Sequence, residues 1–138
     1  LEHAFVKHYL VVSNFVAEAP MKLKYFQIEE FACPCCKKAD MKEDFLVMLD
    51  KARELAETPF VITSGFRCEK HNREVGGKDN SSHLKGYAAD ISALTSDKRY
   101  KIVYGLISAG FKRIGIGKEF IHADCDPELP KGVVWTYY

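Results

Sequence analysis

The sequence predicts an α+β domain with a mostly antiparallel sheet flanked by helices. Two stretches, near residues 41–56 and 96–109, carry apolar residues at helical spacing, and several others are short and β-branched as strands are. They do not alternate as regular strand–helix–strand units, which a parallel α/β sheet requires. The 138 residues fit a single domain with one core. We expect residues 1–20 to form an N-terminal helical extension and residues 21–138 the domain itself.

Taken in order, Phe5, Tyr9, Val12 and Val16 recur at three- and four-residue spacing and suggest an amphipathic helix from Phe5 to Ala17, ended before Pro20. Met21 to Phe26 alternates weakly, and Ile28-Glu29-Glu30-Phe31 suggests one helical turn. Asp40 with Glu43 three residues on resembles a capping arrangement, after which Met41, Phe45, Met48, Ala52, Leu55 and Ala56 mark a helix stopping near Glu57. Phe60 to Ser64 reads as a short buried strand. Glu69 to Ser82, with Asn72, Gly76-Gly77, Asp79 and Asn80, reads as a long polar loop, and such loops are more often functional than idle. Ala88 to Ser92 reads as a strand. Ser96 can cap a second helix whose stripe Tyr100, Val103, Tyr104 and Ile107 is expected to pack in the core, with Gly110 as the stop. Phe111 to Ile116, Phe120 to Cys125 and Val133 to Tyr137 complete the sheet as short strands.

Composition excludes some partners. A net charge of +1 offers no basic stripe for nucleic acid. No apolar run approaches the ~20 residues of a membrane span. Ala17-Glu18-Ala19 faintly resembles a signal-peptidase site but makes no convincing signal peptide, and a start at Leu1 rather than Met suggests a fragment or a cloning scar. The five cysteines cannot all pair within the chain. Cys33 and Cys36, in Cys33-Pro34-Cys35-Cys36, have the spacing of a metal, redox or structural-disulfide pair, and Cys35 crowds it.

The chemistry concentrates in Ser81-Ser82-His83-Leu84-Lys85-Gly86-Tyr87-Ala88-Ala89-Asp90. His83 and Asp90 are both zinc ligand types, and a catalytic zinc commonly takes three protein groups plus water. In a strand Ala88 and Asp90 share a face, and the small alanine leaves room beside the carboxylate. His122 is the expected third ligand, since in Phe120-Ile121-His122-Ala123-Asp124 it shares a face with Phe120 and Asp124 while Ile121 and Ala123 face the core. Such a site also needs a base near the water and a cation for an anionic substrate. Glu119 and Asp124 are the candidate bases, with Glu119 favoured as base and Asp124 as the group orienting the imidazole. Arg67, whose planar fork matches a carboxylate, is the candidate substrate clamp.

The pattern of Ser81, His83, Gly86, Ala88 and Asp90 resembles the zinc D-alanyl-D-alanine carboxypeptidases and L-alanyl-D-glutamate endopeptidases of bacteria and their phages, the peptidase M15-like, hedgehog-related family. Ser64-Gly65-Phe66-Arg67, Ala109-Gly110-Phe111 and Phe120 to Asp124 extend the likeness over about Tyr25 to Tyr137. It implies a compact fold shared with the hedgehog signalling domain, zinc on His83, Asp90 and His122, and a peptidoglycan stem peptide as substrate. Arg67 and Ser81 match substrate-binding and motif positions. Glu119, three residues before the last ligand, matches the base of some members, while Phe120 excludes the variant with histidine two before it. The implied reaction is zinc-assisted hydrolysis outside the cytoplasm, in the periplasm or cell wall or delivered by a phage. Glu119 would take the water proton and pass it to the leaving amine. Two rivals remain: a hedgehog-like zinc domain that binds without catalysing, and a redox or zinc module centred on the cysteines.

Overall fold

The computed structural model describes residues 9–12, 15–18 and 21–138. Strands β1 (Tyr9–Val12) and β2 (Phe15–Glu18) pair antiparallel with Val12 opposite Phe15. This replaces the helix expected from Phe5 to Ala17, whose remaining residues lie outside the described ones. The physical reason was present in the chain: Tyr9, Val11, Val12, Phe15 and Val16 favour extended backbone, and two residues between them suffice for a hairpin.

The domain's sheet runs in the order β3 (Ile62–Ser64), β4 (Ala88–Ser92), β6 (Phe120–Asp124), β5 (Arg113–Ile116), β7 (Val133–Thr136). All neighbours are antiparallel except β5 and β7, which run parallel. The mostly antiparallel expectation therefore holds. Strand β3 is shorter than expected and lies at an edge, with Val61 60% exposed, so it is not a buried strand.

Helix α1 (Glu43–Ala56) ends at Glu57, which takes the left-handed conformation at φ 52°. Its N-cap is Lys42 with no side-chain cap, so the Asp40–Glu43 arrangement is not formed. The buried face is Phe45, Leu46, Leu49, Ala52 and Ala56, a stripe rotated from the expected one because Leu46 and Leu49 are fully buried while Met48 and Leu55 are only partly so. Helix α3 (Ser96–Ala109) has Thr95 rather than Ser96 at its N-cap position, with no side-chain cap hydrogen bond, and stops at Gly110, φ 107°. Here the expected core stripe is overturned. Ile102, Gly105 and Leu106 are buried, while Tyr100, Tyr104 and Ile107 are more than half exposed and the two tyrosines stack on each other. Gly105 sets this rotation: a Cβ there would run into Ala52 O and Ala56 Cβ of α1, so the two helices meet at the glycine. A third helix absent from the sequence reading, α2 (Glu69–Glu74), occupies the start of the expected polar loop, capped by the Cys68 thiol, which accepts the His71 N–H. Ile28–Phe31 forms the expected single turn as a 3-10 helix, and Met21 to Phe26 forms no strand.

The two faces of the sheet divide the labour. Ala89, Ile91, Ile114, Ile121 and Ala123 are at most 1% exposed and join Phe45, Leu49, Ile102 and Leu106 in one core. Burying each large aliphatic side chain contributes about 1.5–3 kcal/mol. The opposite face carries a row that crosses all five strands, Ser64–Asp90–His122–Gly115–Trp135. Rigid anchoring below and polar residues above follow from the two-residue period of the strands.

Candidate metal centre

Asp90 and His122 are cross-strand partners on β4 and β6, so the register itself sets them side by side. His83 comes from the loop before β4 and is held over them by backbone turns that close on Ser82 and His83, with Gly86 at φ 75°. A side chain at Gly86 would strike the backbone of Asp40 and Met41, so only glycine serves this turn. Ser81 accepts a hydrogen bond from the His83 N–H at 3.3 Å, which makes it a buttress of the loop.

The three side chains are buried, and one ligand-type atom from each lies within 4.8 Å of the others. Asp90 Oδ1 is 2.9 Å from His122 Nδ1 and 3.4 Å from His83 Nε2. The outer atoms are all engaged. His83 Nδ1 lies 2.8 Å from the Gly65 carbonyl, which can only accept, so Nδ1 carries a proton and Nε2 is the atom turned to Asp90. His122 Nε2 lies 2.7 Å from Asp124 Oδ2, and Asp90 Oδ2 accepts from Arg67 Nη2 at 3.3 Å. Asp124 Oδ1 in turn accepts from Arg113 Nε at 2.7 Å. Imidazoles oriented through their far nitrogens by a carbonyl and a carboxylate are the usual outer support of metal histidines.

Charge follows from this arrangement. Burial would raise the Asp90 pKa, but His122 and His83 hold its carboxyl well below the usual carboxylate range. Burial would lower the His122 pKa, yet Asp124 and Asp90 outweigh it and raise it above the ordinary histidine value. The centre is thus built for a cation: a proton on His122, or a metal ion taking Nε2, Oδ1 and Nδ1. Two imidazole nitrogens and one carboxylate oxygen fit zinc, whose ~2.0–2.1 Å bonds put tetrahedral neighbours about 3.4 Å apart.

The structure brings together His83, Asp90, His122, Asp124 and Arg67. Arg67 also donates from Nε to Ser64 Oγ at 3.0 Å and from Nη1 to Asn72 Oδ1 at 3.4 Å. Among the described residues three of its five N–H groups are used, leaving one on each terminal nitrogen. Glu119 stands apart. It is exposed at the turn before β6, its carbonyl accepts the Ala93 N–H, and its side chain makes no hydrogen bond or ion pair among the described residues. It lines a surface groove of about 380 Å³ with Lys118, Phe120, Tyr137 and Tyr138. Tyr137 links that groove to the centre, its ring 6.4 Å from that of His122.

Sequence reasoning missed the aromatic wall and its support. Trp135 packs 5.5 Å from His122, and Arg113 lies over the indole at 5.0 Å while holding Asp124. Gly115 makes this possible, because a Cβ there would fall 2.6 Å from Tyr137 and 2.8 Å from Trp135. Alternation in Val133 to Tyr137 already put Trp135 and Tyr137 on one face. What it lacked was the parallel pairing that aims that face at His122.

Among known proteins, the family model described as peptidase M15 matches residues 24–124, which include every residue of the centre. No curated protein matches the chain closely.

Proposed function

The chain belongs to the peptidase M15 family, and we propose that it hydrolyses peptide bonds in peptidoglycan stem peptides, using zinc held by His83, Asp90 and His122. The family is zinc-dependent and peptidolytic, and the centre suits that chemistry. The observation that carries the reading is the convergence of His83 Nε2, Asp90 Oδ1 and His122 Nδ1, each ligand fixed from behind by Gly65, Arg67 or Asp124. Bound there, zinc supplies Lewis acidity and lowers the pKa of water towards neutrality.

The chain's own residues supply the rest. Asp124 fixes the His122 ring by accepting a hydrogen bond from Nε2, and Arg113 holds Asp124 in place. Glu119 is the proposed general base, taking a proton from the attacking water and returning it to the leaving amine. Its place three residues before His122, in the groove that Tyr137 joins to the centre, supports this role. Arg67 has one N–H left on each terminal nitrogen, a pair suited to the two oxygens of a peptide carboxylate. Ser81 is proposed to bind substrate, beyond its contact with His83. Residues 21–138 form the proposed peptidase domain, with 1–20 as an extension to it, and the site of action lies outside the cytoplasm, where peptidoglycan is.

Synthetic stem peptides test the reading. The zinc-loaded protein is expected to cleave a peptide ending in D-Ala-D-Ala or one containing L-Ala-D-Glu, and the bond cleaved identifies it as carboxypeptidase or endopeptidase. Glu119→Gln should keep zinc and lose turnover. A zinc-loaded protein that binds such peptides and cleaves none would instead be a non-catalytic, hedgehog-like binding domain.

A further inference from the structure

A second group of metal-ligating side chains lies outside this centre. Cys33, Cys36 and Cys68 have sulfur atoms within 4.8 Å of one another. The Sγ atoms of Cys33 and Cys68 are 3.7 Å apart. Sulfurs around a tetrahedral zinc, at bonds of ~2.3 Å, are separated by about 3.8 Å. Cys35, on the same turn between Cys33 and Cys36, is exposed and supplies a further thiol beside the three.

The backbone around these thiols is shaped as a ligand turn. Cys33-Pro34-Cys35-Cys36 closes on itself, with Lys37 N–H donating to Cys33 O at 2.8 Å and Cys33 N–H to Lys38 O at 2.7 Å. Lys37 takes the left-handed conformation at φ 66° to allow it. Cys33 is fully buried, its sulfur facing that of Cys68. On the other side of the group, Cys68 caps α2 and accepts the His71 N–H at 3.5 Å, which fixes its sulfur in place.

We propose that Cys33, Cys36 and Cys68, with Cys35 as the fourth sulfur, hold a second, structural zinc ion that ties the segment after the 3-10 helix to the Gly65–Cys68 segment. The place in the fold gives the ion its role. Phe66 N–H donates to Phe31 O at 2.9 Å, and Gly65 packs on Phe31 so closely that a Cβ would fall 2.6 Å from its Cα and carbonyl. The same short segment offers Gly65 O to His83 and Arg67 to Asp90. A metal on Cys68 therefore pins the stretch that orients two residues of the first centre. The thiolates bind the ion with loss of their protons to solvent, and no electrons move.

Metal analysis of the full chain purified under reducing conditions tests this. Wild type is expected to carry two zinc ions, His122→Ala one and Cys68→Ser one. Loaded with cobalt, His122→Ala, which keeps all five cysteines, should show sulfur-to-metal charge-transfer absorption and a tetrahedral visible spectrum. Cys36→Ser in the same background should lose both. Should a cysteine variant fail to fold, the cobalt spectrum of His122→Ala decides alone. The proposal is overturned if wild type holds one zinc that His122→Ala abolishes. It is equally overturned if His122→Ala binds cobalt without sulfur absorption, or if peptide mapping finds Cys33 and Cys68 joined as a disulfide in the purified protein.

Discussion

His83, Asp90 and His122 meet on a sheet face, two of them on adjacent strands, whereas Cys33, Cys36 and Cys68 come from two loop segments. The first group is made of nitrogen and oxygen atoms with their outer atoms held by Gly65, Arg67 and Asp124, an aromatic wall on one side, and a groove beside it. The second is all sulfur, on a turn closed by Lys37 N–H to Cys33 O and Cys33 N–H to Lys38 O and on Cys68, which accepts the His71 N–H. The contrast teaches what each is suited to do. Three N/O donors leave a zinc position open for chemistry, while a closed set of thiolates leaves none and can only hold the chain together.

Disturbing the first group should therefore abolish activity and disturbing the second should lower stability. The largest effect is expected from His122→Ala. Loss of the ligand should remove the catalytic zinc and cost several kcal/mol of transition-state stabilisation, on the order of 10³-fold or more in kcat/KM. Metal analysis and peptide hydrolysis measured on the same sample check it. Next comes Glu119→Gln, for which kcat should fall by roughly 10²–10⁴-fold with zinc content and KM nearly unchanged, as the loss of a general base requires. A fall in bound zinc instead would make Glu119 part of the metal support.

How much of this was legible beforehand depended on whether a signal was local. Asp90 and His122 could be placed because a strand fixes which neighbours share a face, and the register then sets them opposite each other. The stops at Glu57 and Gly110 were readable for the same local reason. The exposed Tyr100 and Tyr104 were not, because a periodic stripe shows that a helix has a face, whereas only Gly105 against Ala52 and Ala56 decides which face turns inward. The hairpin of β1 and β2 was hidden by an accident of spacing, since Tyr9, Val12 and Val16 satisfy helical periodicity while their β-branched neighbours favour strands. Cys68 joins Cys33 and Cys36 across more than thirty residues, a contact made by Phe66 docking on Phe31 and by no motif. Arg113 and Trp135 waited on the parallel pairing of β7 with β5.

Smaller perturbations sharpen the comparison. Asp124→Asn should leave zinc bound but weaken its affinity by about 10–100-fold, the usual cost of losing an outer-shell partner, as read by competition with a chelator. Gly115→Ala should keep the fold and both metals while displacing Trp135 and Tyr137, raising KM for peptides more than it changes zinc affinity. The smallest effect is on stability and lies behind the centre. Asp126 is buried and accepts from Ser82 Oγ at 2.8 Å and Lys85 Nζ at 3.0 Å, tying β6 to the His83 loop. Burial would raise its pKa, but the Glu128 N–H, Lys85 and Ser82 hold it below the ordinary aspartate value. A depressed folded-state pKa means that this contribution is fully present above the unfolded value of ~3.9 and is lost as pH falls through the folded one. Asp126→Asn should therefore cost about 1–3 kcal/mol at pH 7 and progressively less as the solution is acidified below pH 4, seen in thermal melts of the two proteins.

The central claim is that the first centre breaks peptide bonds in the cell wall. Purified peptidoglycan digested with the zinc-loaded protein, and its soluble products weighed, tests it most directly. The account predicts fragments in which one stem-peptide bond has gained a water, absent with His122→Ala and with zinc-loaded Glu119→Gln. Intact stem peptides after incubation with a protein shown to carry zinc on His83, Asp90 and His122 would contradict it.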